Sequence, residues 1–341
     1  MPPEIASMRI LMTQLVPAPA IERLRAAVTA AGPDSTLDIN PDSERIWARQ
    51  ELIDRLRAGN YNALYCLLTN RIDAEVLDAA PNLKVVANMA VGYNNIDVAE
   101  VTRRGIPATN TPGVLTDTTA DFAWALLMSS ARRVSEAERF LRAGKFHGWG
   151  PLMMVGQDVH RKTLGIIGFG RIGRAVAKRA GGFDMQVLYY DRTPADQQTE
   201  RELNARLVSM DELLEQSDYV SLHTDYNPET HHLIGAPELA RMKSTSYIIN
   251  TARGAIVDES ALVEALRAGQ IAGAGLDVFE NEPEVHPGLL ELENAVIVPH
   301  IASASLDTRN AMAMMAAENI IAVFNGDRPP NCVNPEIYEK E

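Results

Sequence analysis

Residues 163–191 read TLGIIGFGRIGRAVAKRAGGFDMQVLYYD, and the fold follows from this stretch. Leu164 to Ile167 is a short apolar run, the length of one buried parallel strand. It breaks at Gly168, where Gly168, Phe169, Gly170, Arg171, Ile172 and Gly173 spell G-x-G-x-x-G. Ile172, Val176 and Ala180 follow at helical spacing. A second apolar run, Met185 to Tyr190, ends on Asp191, 18 residues past the last glycine. Gly168 allows a tight turn, Gly170 lets the backbone approach a pyrophosphate, and Gly173 lets helix and strand pack closely. The helix start offers unpaired N–H groups and a partial positive charge to the phosphates. Asp191 is placed to accept hydrogen bonds from a ribose diol. Glycines that merely turn a strand-to-helix corner are the bland alternative. Strand, glycines, helix, strand and acid in that order favour a dinucleotide site.

Working outward, residues 8–108 alternate strands and helices. Strands are expected at Arg9–Met12, Thr36–Ile39, Ala63–Leu68, Lys84–Asn88 and Ile106–Ala108. Between them lie helices over Ile21–Ala31, from a Ser43 cap to Ala58, and over Ala74–Ala80, with a turn and helix from Ile96. This alternation implies a parallel sheet covered by helices. The fourth strand runs into Met89-Ala90-Val91-Gly92, where backbone N–H groups could meet a small anion beyond the strand end. A simple strand-to-helix turn reads equally well. Asn110-Thr111-Pro112-Gly113 marks a hinge. Thr116 to Arg142 then runs without Pro or Gly, with Thr118 and Asp121 as a capping pair, and its length suits one helix bridging domains or subunits. The following loop, to Gly156, carries His147, Trp149, Pro151 and Met153. It suits an interface, or packing on its own subunit.

After Asp191 the doubly wound pattern continues. Strands are expected at Tyr219–His223, Tyr247–Asn250, Gly273–Val278 and Val296–Val298, with helices over Met210–Gln216, Glu238–Met242 and Glu259–Arg267. The last helix, Thr308–Phe324, has apolar positions on several faces and is expected to return to the first domain. The fold class is α/β, with two doubly wound parallel-sheet domains. Residues 1–108 plus 300–341 form a discontinuous flavodoxin-like domain. Residues 109–299 form the Rossmann domain, including an arm at 118–156.

The 341 residues suit two domains, and 46% hydrophobic with 23% charged residues is ordinary for a globular chain. A net charge of −13 argues against a nucleic-acid partner. Only Cys66 and Cys332 are present, without a C-x-x-C, so no cysteine zinc site is expected and a reducing compartment fits. No metal-ligand cluster stands out, and His231 with His232 reads as a surface turn. The N-terminus lacks a signal-peptide pattern, and no apolar run reaches the ~18 residues of a membrane span. A cytoplasmic protein is expected.

Arg253, Glu282 and His300 sit where strands end in the second half. Hydride transfer to a carbonyl needs a proton donor, and histidine titrates near neutrality. The donor needs a carboxylate to orient it. A substrate carboxylate needs a guanidinium that can clamp it with two hydrogen bonds. Each residue also has a dull reading: a structural histidine, a surface ion-pair partner, and, for Glu280 and Glu282, solvated loop charges.

Thr251-Ala252-Arg253-Gly254, GLDVFENEP at 275–283 and PHIASAS at 299–305 resemble the D-2-hydroxyacid dehydrogenase family. The resemblance spans essentially the whole chain. VGYNNID at 91–97, NTPGVLTDTTADFAWALL from 110 and GWGP at 148–151 are most similar to its glyoxylate/hydroxypyruvate reductases. It implies an active site in the cleft between the domains. Arg253 would bind the substrate carboxylate and polarise the keto oxygen, His300 would be the general acid, and Glu282 would pair with it. Val91 and Gly92 would hold the carboxylate by N–H groups. Thr251 and Asp277 would join the glycine motif, Asp191 and Arg192 in the cofactor site, with Asp277 on the nicotinamide carboxamide. Asp191 favours NAD and Arg192 leaves NADP open. A homodimer built on the long helix and its loop is implied. Other D-2-hydroxyacid dehydrogenases, such as phosphoglycerate dehydrogenase, and dinucleotide-sensing binding proteins remain alternatives. Ala302, where glycine is common, and Asp225-Tyr226-Asn227 depart from the family pattern.

Overall fold

In the computed structural model, which describes residues 7–42 and 44–339, the N-terminal apolar runs pair into one parallel sheet. Its strands are β1 (Arg9–Met12), β2 (Thr36–Ile39), β3 (Ala63–Cys66), β4 (Val85–Asn88) and β5 (Ala108–Thr109), in the order β2-β1-β3-β4-β5. Helices α1 (Ala18–Ala30), α2 (Arg49–Gly59), α3 (Ala74–Asp78) and α4 (Val98–Arg103) connect them. β3 and β4 are buried at every position, as strands covered on both faces must be, whereas β2 lies at the edge and is partly exposed. The Asp73 and Asp97 carboxylates cap α3 and α4 by accepting N–H bonds from Val76 and Glu100. Ser43, the expected cap of α2, lies outside the described residues; that helix starts at Arg49 after Ala48.

The second sheet has seven parallel strands. They are β6 (Thr163–Ile167), β7 (Gln186–Tyr190), β8 (Ala205–Leu207), β9 (Tyr219–Leu222), β10 (Tyr247–Asn250), β11 (Gly273–Leu276) and β12 (Ala295–Ile297). Their order is β12-β11-β10-β9-β6-β7-β8, so the winding reverses between β6 and β9. Ahead of β6 come α5 (Thr116–Ala131) and α6 (Val134–Arg142). Between the strands run α7 (Arg171–Ala180), α8 (Gln197–Glu202), α9 (Met210–Gln216), α10 (Ala236–Arg241), α11 (Glu259–Arg267) and α12 (Pro287–Leu290).

The single helix expected over Thr116–Arg142 is thus two. Arg133 adopts a left-handed conformation, φ 54°, between α5 and α6. The returning chain competes for the helix carbonyls: the Gln157 N–H donates to Ala131 O at 2.8 Å. The Arg133 guanidinium then bonds to Glu136 and to the Val155 carbonyl. α5 is well buried; its Trp124 stacks on Phe183 and donates from Nε1 to the Val176 carbonyl.

The chain divides into two compact units, Met1–Leu115 with Ser305–Glu341, and Thr116–Ala304. The C-terminal helix α13 (Leu306–Phe324) packs on α1, β3 and β4 of the first unit. Tyr65 Oη donates to the Ala313 carbonyl at 3.1 Å within that contact. Asn334 closes the return: its Oδ1 accepts from Ala108 N–H, and its Nδ2 donates to Ile106 O. Residues 109–111 stay with the first unit because the Asn110 N–H donates to Asn331 O and the Thr111 N–H to Ala90 O. His300, placed by its sequence position at the start of the returning segment, lies in the second unit. No helix among the described residues is long and apolar enough to cross a membrane.

Candidate active site

The glycine motif lies between β6 and α7, at the reversal of strand order, where open α/β sheets bind ligands. Gly168 has φ 91°, and a Cβ there would strike the backbone of His223 and Thr224 at the end of β9. A Cβ on Gly173 would overlap the Gly168 carbonyl. At Gly170 the opposite holds: nothing lies within 4 Å of the Cβ position. Gly170 is the N-cap of α7 and gives it no side-chain cap, so the first N–H groups, with Arg171 and Ile172, face an open approach. This cradle fits a pyrophosphate. Phe169 contributes backbone only. Its ring is buried, stacked on Tyr189 with centroids 4.0 Å apart.

Asp191, at the end of β7, accepts the Phe169 N–H at 2.6 Å and the Thr193 N–H at 2.9 Å. Its carboxylate therefore ties the glycine turn to the next strand, and each oxygen keeps a lone pair for a ribose hydroxyl. Arg192 bonds to Glu229 at 3.2 Å, on the surface. Thr251, after β10, has a buried Oγ1 with no hydrogen-bond partner among the described residues. An orphaned hydroxyl at a strand's carboxyl end also suits a bound polar group.

Arg253, Glu282 and His300 follow β10, β11 and β12, three adjacent strands. His300 Nδ1 lies 2.8 Å from Glu282 Oε2, and Glu282 Oε1 accepts the Phe279 N–H at 3.0 Å. Burial pushes the Glu282 carboxyl up, but the His300 hydrogen bond and the charges of His300 and Arg253 outweigh it and hold it below its ordinary value. An ionised Glu282 fixes Nδ1 as the protonated ring nitrogen and leaves Nε2 for proton exchange. Arg253 donates from Nη1 to its neighbour's carbonyl, Ala252 O, at 2.7 Å. Burial lowers its pKa, while Glu282 and Asp225 raise it.

Asp277 directly follows β11. It is fully buried, and its Oδ1 and Oδ2 accept the N–H groups of Ile301 and Ala302 at 2.6 and 2.8 Å. Its carbonyl accepts the His300 N–H at 2.8 Å. Three successive N–H groups are thus held by one residue, and His300 sits at φ 52°, a conformation costing about 1 kcal/mol for a non-glycine residue. Asp277 thus anchors the His300 turn. Ala302 has no positive φ, so its Cβ adds no strain to that turn.

Val91 and Gly92 lie in the first unit, after β4. Their carbonyls accept from Asn110 and Asn88 side chains at 2.8 and 3.0 Å, and among the described residues their N–H groups have no partner. Two features escaped the sequence reading. His223 Nε2 lies 2.8 Å from Ser221 Oγ, and burial lowers its pKa to about 3. His232 is not a plain surface residue, because it pairs with Glu280 at 2.8 Å. The two partners of each pair lie within two residues (Ser221 and His223) or far apart (His232 and Glu280), and only the first spacing could have signalled a contact. The Asp225-Tyr226-Asn227 turn closes on itself through Asn227 Oδ1 and Thr230.

A dinucleotide cradle beside an oriented His–Glu pair and an arginine defines an NAD(P)-dependent dehydrogenase. Residues 124–302 match the family model of the D-isomer specific 2-hydroxyacid dehydrogenase, NAD binding domain. A glyoxylate reductase of Korarchaeum cryptofilum is 51% identical over 97% of both chains. The crystal structure of a glyoxylate reductase from Paecilomyes thermophila superposes with a TM-score of 0.84 at 35% identity, covering 97% of this chain and 99% of that one. An NADPH-dependent glyoxylate/hydroxypyruvate reductase of Sinorhizobium meliloti, in complex with NADP and malonate, gives 0.80 at 33%, covering 96% and 97%. The chain belongs to the D-isomer specific 2-hydroxyacid dehydrogenase family.

Proposed function

We propose that this protein reduces a small 2-oxoacid, glyoxylate or hydroxypyruvate, to the corresponding 2-hydroxyacid, the D-isomer where the product is chiral, with NADH or NADPH. The observation that carries this reading is the His300–Glu282 pair beside Arg253, at strand ends that flank the glycine cradle. When bound, the reduced nicotinamide supplies a hydride to the carbonyl carbon. Arg253 clamps the carboxylate and polarises the keto oxygen. His300 donates its Nε2 proton to that oxygen, and ionised Glu282 stabilises the imidazolium before transfer. In the reverse direction neutral His300 takes the hydroxyl proton. Asp277 holds the backbone that aims the ring. In the first unit, the Val91 and Gly92 N–H groups, which have no partner among the described residues, are donors of the kind a carboxylate accepts. The relatives named glyoxylate reductase support the substrate class.

The arm at 118–156 is assigned to a homodimer. α6 buries none of its residues, and Trp149 and Leu152 are 83% and 88% exposed, with Val134, Leu141, Phe146 and Val155 also bare. Such a run of exposed apolar side chains suits a subunit interface. Free Cys66 and Cys332 fit a cytoplasmic setting. The test is loss of NADH or NADPH absorbance on adding a panel of 2-oxoacids. Fastest turnover with glyoxylate or hydroxypyruvate supports the reading. Dinucleotide binding without turnover of any 2-oxoacid would make the protein a sensor.

A further inference from the structure

The turn carrying Arg253 and the loop carrying Glu282 touch through their backbones. A Cβ on Gly254 would overlap the Phe279 carbonyl and the Glu280 nitrogen. Three contacts outside the catalytic residues lock this approach. First, the segment beginning at His232 is zipped to the Arg253 turn: the His232 N–H donates to Ala255 O at 2.9 Å, and the Ile234 N–H to Ile256 O at 3.1 Å. Second, the His232 side chain crosses to the other loop, with Nε2 at 2.8 Å from Glu280 Oε1. Third, the Glu280 N–H donates to Glu259 Oε1 at 2.7 Å, and Glu259 is 5% exposed at the start of α11. His232 reaches across from a left-handed backbone, φ 51°, which is costly for a residue with a side chain.

We propose that His232 and Glu280 are positioning residues for the reduction, a brace that sets the distance between Arg253 and the Glu282–His300 pair. This rests on the reductase reading above. The chemistry explains why such a brace is needed. In a 2-oxoacid the carboxylate and the keto carbon are joined by one C–C bond. The guanidinium that clamps the first and the imidazole that protonates the oxygen of the second must therefore keep a fixed spacing. A shift of about 1 Å in such a constellation can cost ~100-fold in rate. Arg253 and Glu282 follow different strands, β10 and β11, and the brace joins the two segments that carry them. Neither His232 nor Glu280 reaches substrate or cofactor in this account; they act through the two loops they join.

The test is steady-state kinetics with glyoxylate for wild type, His232→Ala, Glu280→Ala, the double variant and His232→Gln. NADH affinity by fluorescence and melting temperature are measured beside them. The brace predicts that each alanine variant lowers kcat/KM about tenfold, with a raised KM and a lowered kcat. NADH affinity stays unchanged. The double variant is no worse than either single one, because the two side chains act as a unit. His232→Gln, which keeps a donor towards Glu280, recovers most of the loss. Should His232→Ala fail to fold, Glu280→Ala is read alone. Alanine variants within about twofold of an active wild type overturn the brace alone, as does an additive double variant. A wild type inactive with glyoxylate overturns the reductase reading, and the brace with it.

Discussion

Asp191 and Arg192 are adjacent and opposite in charge, and their balance is expected to set the dinucleotide preference. A 2′-phosphate would meet the Asp191 carboxylate, and two like charges at ~4 Å repel by about 4 kcal/mol at an effective dielectric near 20. Arg192 could offset this, but it is engaged by Glu229 in an ion pair with both partners more than three-quarters exposed. Such a pair is worth only about 0–1 kcal/mol, so it yields easily to a phosphate. The stronger term is the carboxylate, and kcat/KM is expected to be higher with NADH. Asp191→Ser should shift preference towards NADPH, and Glu229→Gln should do so more weakly by releasing Arg192. A wild type about tenfold better with NADPH would show that the arginine dominates. His223 makes a second prediction at this scale. Its folded pKa, about 3, lies below the ordinary 6.5. Between those values the unfolded chain takes up a proton that the folded chain refuses. Its contribution is therefore full above 6.5 and lost as pH falls towards 3. His223→Gln should flatten the fall in melting temperature between about pH 7 and about pH 5. An unchanged slope would mean the imidazole is not titrating as its burial implies.

At the scale of elements, the buried strands were legible because a parallel strand covered on both faces must be a short apolar run. β1, β2 and β10 fall where the sequence places them, and the others shift by a residue or two at their ends. β8 was missed for the same reason in reverse: it is an edge strand, and Arg206 and Leu207 are exposed. The break at Arg133 was illegible because neither glycine nor proline marks it; a tertiary contact from Gln157 makes it. The break matters for assembly. It frees α6 to leave the sheet-packed line of α5 and to carry its apolar residues outwards. Light scattering in dilute solution should give the mass of a dimer, and Trp149→Ser with Leu152→Ser should shift it towards monomer. A monomeric wild type would remove the arm's assigned role.

For the molecule as a whole, the motif at 168–173 announced the second unit; strand-end position offered Arg253, Glu282 and His300 as candidates, and only the family resemblance gave them roles. What the sequence could not show was how they are held. Asp277 grips a turn 24 residues away, and His232 grips Glu280 across 48. Contacts at that separation leave no local pattern. The overall charge of −13 repels an anionic substrate, so capture depends on local donors such as the Arg253 guanidinium. In the proposed reduction His300 supplies the proton, and the hydride comes from a bound dinucleotide. The most direct test of this role is kcat for glyoxylate in wild type and His300→Ala, with NADH affinity measured on both. His300→Ala should lower kcat at least ~100-fold with NADH affinity almost unchanged. Near-normal turnover in the variant would contradict it.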